Sequence, residues 1–192
     1  MSFSKYEDFL KYLETEPIRN LPGAESVKRW SSNLAEDLGG DFDVFTPIMP
    51  NKQNAKYLEW KIWFERHFEF LRDDTTLLGW SQGGYFLSKY LTENQPPFKI
   101  KTLILVAAPF ELGDFGGEDG GDFAFDTRKV RGLQNKAQNI VIMHSKDDFV
   151  VPYEHALKYL EVLPEAELIS FEDKNHFLIP EFPELIEKIR SF

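Results

Sequence analysis

Ser81 lies between glycines in Gly79-Trp80-Ser81-Gln82-Gly83, a setting that can make a serine a nucleophile. Its hydroxyl is weak alone. It needs a base to take the proton, an acid behind the base to orient it, and N–H donors to hold the oxyanion. A G-x-S-x-G turn answers the first geometric demand. It sets the serine on a sharp strand-to-helix corner in strained backbone, where residues two positions away must lack bulk. Gly79 and Gly83 are expected to supply that room, and Gly84 to let the next helix pack close to the sheet. The apolar Thr75-Thr76-Leu77-Leu78 precedes the turn, and Phe86, Leu87, Tyr90 and Leu91 follow it at helical spacing. The backbone N–H of Gln82 is then the first oxyanion donor.

The acid and the base are expected past the ends of later strands, in chain order Ser, Asp, His. The run Asn139 to His144 leads into Ser145-Lys146-Asp147-Asp148-Phe149-Val150-Val151-Pro152. Glu167 to Phe171 leads into Glu172-Asp173-Lys174-Asn175-His176-Phe177. One helix and one strand separate the two segments, which returns the chain to the same rim. His176 is the expected base. Asp148 is the expected acid, preferred over Asp147 because Asp-x-x-Val-Pro is the familiar setting of that residue. His144 adjoins the acid as a supporting group, and His155, one turn into a helix, is expected at the surface or the pocket rim. His67 reads as a helix-face histidine beside the core. Trp80, Phe110 and Phe177 flank these motifs and are candidates for the pocket wall. The chemistry calls for no metal and no cofactor.

The elements that must position these groups are legible along the chain. A helix after Tyr6 carries Phe9, Leu10, Tyr12 and Leu13. Residues 15 to 25 are irregular. Ser26 can cap a second helix with Val27, Trp30, Leu34 and Leu38 on one face and Gly39-Gly40 closing it. Phe42 to Thr46 reads as a short strand. A long helix starts at Asn54 with the stripe Tyr57, Trp60, Trp63/Phe64, His67/Phe68 and Leu71, a packing face. Strands at Thr75 to Gly79, Thr102 to Ala107, Asn139 to His144 and Glu167 to Phe171 then alternate with helices at Gln82 to Glu93, Arg128 to Asn135, Tyr153 to Leu163 and Glu181 to Phe192. Such alternation predicts an α/β fold: a doubly wound, mostly parallel sheet flanked by helices. The acidic, glycine-rich stretch from Gly113 to Asp122 fits no EF-hand spacing and is expected to be a flap over the pocket.

With 192 residues, 42% hydrophobic and 15% aromatic, the chain suits one globular domain, residues 1–192. Its 18 phenylalanines predict an aromatic core. A net charge of −10 repels phosphates and anionic lipid, so neither nucleic acid nor membrane is an expected partner. There is no cysteine, hence no disulfide and no thiol nucleophile. The first residues lack a signal-peptide pattern, and a cytoplasmic location is the default. No protein partner can be read from the sequence.

The quoted segments, with Ala107-Ala108-Pro109-Phe110 and Met49-Pro50-Asn51, resemble the α/β-hydrolase superfamily, specifically small serine hydrolases related to retinoblastoma-binding protein 9. The likeness runs from about Trp30 to the C-terminus. It implies a minimal hydrolase fold without a large cap domain, acting on a small or medium acyl ester, thioester or amide. One departure stands out. The family pattern places a core strand before the helix at Ser26, and its loop supplies the second oxyanion donor. Ile18-Arg19-Asn20-Leu21, between Pro17 and Pro22, is the nearest candidate and a poor one. The expectation is that this first core strand lies upstream of residue 1. The rival expectation is a hydrolase-like scaffold of low activity, acting as a binding or interaction protein.

Overall fold

In the computed structural model, residues 2–15, 29–112 and 120–192 are described. In chain order the elements are α1 (Tyr6–Thr15), α2 (Trp30–Leu38), α3 (Tyr57–Arg66), β1 (Thr75–Trp80), α4 (Gln82–Glu93), β2 (Ile100–Val106), β3 (Ala137–Ser145), α5 (Glu154–Val162), β4 (Glu167–Phe171) and α6 (Pro183–Arg190). Short 3-10 helices fall at His67–Phe70, Gly121–Phe123 and Thr127–Asn135. The chain forms two compact units, Met1–Lys5 with Met49–Phe177, and Tyr6–Ile48 with Leu178–Phe192.

The first unit is built on a parallel sheet in the order β1-β2-β3-β4. The unbroken apolar run of β2 is buried along nearly its whole length, as an interior parallel strand requires. Among the described residues, β1 is an edge. Register sets the functional rim: Trp80 lies opposite Val106, and Val106 opposite Met143, while Ser145 lies opposite Phe171. The segments that carry Ser81, Asp148 and His176 all leave this one edge of the sheet.

The α3 pattern predicts a longer helix than the chain forms. It begins at Tyr57, and from His67 the backbone tightens into a 3-10 turn. Asn54 does not cap it; the Asn54 side chain accepts the Phe3 N–H instead, at 3.1 Å. The packed stripe is Tyr57, Trp60, Phe64 and Phe68, whose rings meet Phe86, Tyr90, Phe98 and Phe123, many edge-on. Trp63 falls off that stripe and is 41% exposed. From Gly84 to Leu91, α4 is buried on every side, Ser88 and Lys89 included. The Lys89 ammonium donates to the Ala124 carbonyl, 2.7 Å away, pairs with Glu93 at 3.3 Å, and lies 4.3 Å from the Tyr57 ring centre.

In the second unit, α2 buries the expected Trp30, Leu34 and Leu38, and Gly39 closes it at φ 73°. Trp30 meets Phe182 edge-on, and Arg190 donates to the Asp37 and Leu38 carbonyls, which the end of α2 leaves open. Ser26, Val27 and the Ile18 to Leu21 segment lie outside the described residues. The strand expected at Phe42 to Thr46 does not form. Every described element of this unit is a helix. A lone extended segment there has no strand to satisfy its backbone groups. No helix among the described residues is long and apolar enough to cross a membrane.

The corner between β1 and α4 corrects one expectation. A Cβ on Gly79 would stand 2.6 Å from the Gly84 Cα, and a Cβ on Gly84 would stand 2.5 Å from the Ala108 Cβ. At Gly83 a Cβ meets nothing within 4 Å among the described residues. The tight approach therefore rests on Gly79 and Gly84 and not on Gly83. Gly79→Ala and Gly84→Ala are each expected to destabilise by about 1–3 kcal/mol or more, since backbone must move to relieve the clash. Gly83→Ala, inside a helix, is expected to stabilise by about 0.5 kcal/mol. Thermal unfolding of the three variants checks the order.

Candidate active site

Ser81 sits at the exit of β1 with φ 53° and ψ −123°, a conformation that a serine holds only under constraint. Two features impose it. The Ser81 N–H donates to the Val106 carbonyl at 2.8 Å, and the Ser81 carbonyl accepts from the Gly84 and Tyr85 N–H groups at the start of α4. The hydroxyl thus turns away from the sheet while the next residue, Gln82, opens the helix.

Asp148 is fixed by the turn that follows β3. Its N–H reaches back to the Ser145 carbonyl at 3.2 Å. Its Oδ1 accepts the N–H groups of Val150 and Val151 at 2.8 and 2.9 Å, the local bonding to which aspartate in a turn is suited. The carboxylate remains buried yet fully bonded, because His176 Nδ1 lies 2.8 Å from Oδ2 and 3.0 Å from Oδ1. A carboxylate only accepts, so Nδ1 carries the proton, and Nε2 presents its lone pair. Ser81 Oγ is 2.9 Å from Nε2 and donates to it. The three expected residues are brought into one line.

His144 closes the back of this group. Its Nε2 donates to the Val151 carbonyl at 2.8 Å and stands 3.5 Å from Asp148 Oδ2. Its Nδ1 is buried with no hydrogen-bond partner among the described residues. Burial is the main cause holding the His144 imidazole below its usual pKa. Of the two places expected for His155, the surface or the pocket rim, the first is excluded. His155 is buried, its Nδ1 accepts the Phe110 N–H at 3.0 Å, and burial likewise depresses its pKa. Tyr159, whose hydroxyl donates to the Pro109 carbonyl, fastens the same segment after β2. Neither residue was found by motif, since each acts on backbone from a helix distant in sequence.

Of the pocket candidates, Trp80 is partly exposed, and its indole N–H donates to the His176 carbonyl at 3.1 Å. Phe110 is buried edge-on to Tyr159, and Phe177 is buried edge-on to Phe171. Those two rings belong to packed interior. Asp147 is exposed and does not reach His176; it accepts from Ser145 and Asn175. Residues 113–119 of the expected flap lie outside the described residues.

A parallel sheet whose first strand turns through a strained serine into a helix, with histidine and aspartate arriving from later strand ends, is the α/β-hydrolase fold. In sequence the chain is similar to a serine hydrolase, RBBP9. Serine hydrolase RBBP9 of Rattus norvegicus is 27% identical over 163 residues, covering 84% of this chain and 83% of that one. The ydeN gene product from B. subtilis superposes with TM-score 0.65 at 20% identity, covering 76% of this chain and 79% of its own. The esterase RhEst1 from Rhodococcus sp. ECU1013 does so with TM-score 0.51 at 16% identity, covering 78% and 74%. No family model matches the chain.

The depressed histidines give a pH signature. The unfolded chain takes up protons on these imidazoles near the ordinary value of about 6.5, whereas the folded chain resists. Stability from this source is therefore full above about pH 6.5 and falls as the pH drops. The melting temperature is expected to hold from pH 8 to 7 and to decline toward pH 5. His144→Gln keeps a donor for Val151 but does not titrate, so a shallower acid decline is expected. An unchanged decline in that variant would assign the effect elsewhere.

Proposed function

We propose that this chain is a serine hydrolase that cleaves small or medium acyl esters, or related thioesters and amides, through an acyl-enzyme. One observation carries the reading: the unbroken line from Ser81 Oγ to His176 Nε2 at 2.9 Å, and from His176 Nδ1 to Asp148 at 2.8 Å. Ser81 Oγ attacks the acyl carbon while Nε2 takes its proton, and Asp148 steadies the imidazolium. The oxyanion develops over the first turn of α4, where the Gln82 N–H and the helix N-terminus favour negative charge. The tetrahedral species collapses as the bond to the leaving oxygen breaks, and Nε2 returns its proton to that oxygen. Water then attacks the acyl-serine by the same route, yielding the acid and regenerating the Ser81 hydroxyl.

The name serine hydrolase borne by the RBBP9 relative supports the reaction class. The substrate class has separate support. Phe149 and Val150, 69% and 38% exposed beside the buried Asp148, offer apolar surface at the rim, which suits an acyl chain.

A fluorophosphonate probe followed by mass spectrometry tests the reading. Labelling is expected at Ser81, absent in Ser81→Ala and His176→Ala, and slowed by up to about 10⁴-fold in Asp148→Asn. A folded wild-type chain that takes no label would overturn it and favour a binding role.

A further inference from the structure

His176 is carried by a loop, and the residues on either side of it both take left-handed backbone, φ 50° at Asn175 and 54° at Phe177. Asparagine tolerates that region; an aromatic residue does so only when its surroundings insist. Asp148 grips the imidazole, not the backbone that delivers it. The Trp80 indole N–H holds the His176 carbonyl, and the Phe177 N–H turns back to the Lys174 carbonyl at 2.8 Å. The two amides preceding His176 are held by a separate pair. Ser145 Oγ accepts the Lys174 N–H at 2.9 Å and donates to Asp147 Oδ1 at 2.5 Å. The same Oδ1 accepts the Asn175 N–H at 2.8 Å. Ser145 is the buried last residue of β3, so this pair ties the histidine loop to the sheet. Lys146 N–H, donating to the Phe171 carbonyl at 2.8 Å, closes the junction beside it.

We propose that Asp147 and Ser145 are positioning residues for the reaction: they clamp the Lys174 and Asn175 amides so that His176 Nε2 stays within reach of Ser81 Oγ. This rests on the serine-hydrolase reading. Asp147 is exposed, and its partners are a hydroxyl and an amide rather than a cation. What the clamp needs from it is therefore an oxygen at Oδ1. Those same two donors, the Ser145 hydroxyl foremost, hold the Asp147 carboxyl below the usual carboxylate range.

Asp147→Ala removes that oxygen, and Asp147→Asn keeps it. Two readouts are taken on the full chain: amide hydrogen exchange over residues 172–178, and turnover of p-nitrophenyl acetate with fluorophosphonate labelling at Ser81. In Asp147→Ala, exchange in this segment is expected to rise about tenfold, with the melting temperature little changed. Labelling rate and kcat are expected to fall by up to about 10²-fold with KM unchanged, the loss that a small misplacement brings. Asp147→Asn is expected to restore both within a few-fold. Wild-type exchange and labelling in Asp147→Ala would overturn the proposal, as would equal losses in the two variants. A wild-type chain that takes no label would instead overturn the hydrolase reading, and exchange alone would then decide whether the clamp holds the loop.

Discussion

At the corner between β1 and α4 the backbones of Gly79 and Gly84 approach so closely that neither position has room for a side chain, and Ala108 fills what space remains. That contact fixes where α4 begins relative to the sheet. It also fixes the left-handed backbone of Ser81, because the residue must turn within a single step from the strand into the helix. The strain is local, and the stability that sustains it comes from the buried Gly84 to Leu91 stretch of α4 and the aromatic stripe of α3 packed near it. A rigid scaffold under a strained corner is what lets one hydroxyl stand clear of the backbone around it.

The polar interior of the site follows a second constraint, that a buried charge needs partners. Asp148 has them in the Val150 and Val151 amides and the His176 imidazole. His144 is buried behind it, and burial disfavours its charged form, so it sets no fixed cation beside the carboxylate. This arrangement also orients the proton on His176 toward the acid, leaving the opposite nitrogen for Ser81. Hydrogen bonds to backbone dominate around these residues. The turns themselves, more than side-chain crowding, set the geometry.

The α/β-hydrolase fold hosts many chemistries, and likeness at 16 to 20% identity speaks to architecture. The proposed activity therefore stands on the site: a serine, an imidazole and a carboxylate in line, with apolar surface beside the acid.

The strands and helices that carry this line were legible because their signals are local. Thr-Leu-Ile-Leu-Val reads as an interior strand, and α4 and β4 fall where periodicity puts them. Ser81, Asp148 and His176 were legible because each follows a strand end in a fixed order. Glycine spacing was half legible: both glycines of the motif seemed alike in sequence, yet only the packing of Ala108 and the β1 backbone shows that Gly79 and Gly84 are crowded and Gly83 is not. Phe42 to Thr46 has strand composition, but a strand exists only where another strand completes its hydrogen bonds, and composition cannot supply a neighbour. The burial of His155 against the Phe110 amide belongs to the tertiary structure as well. Sequence by itself determined which segments could be strands, which serine could be a nucleophile and in what order its partners come, since these depend on neighbours along the chain. Which atoms meet depended on contacts between segments tens of residues apart, and only the folded chain brings those together.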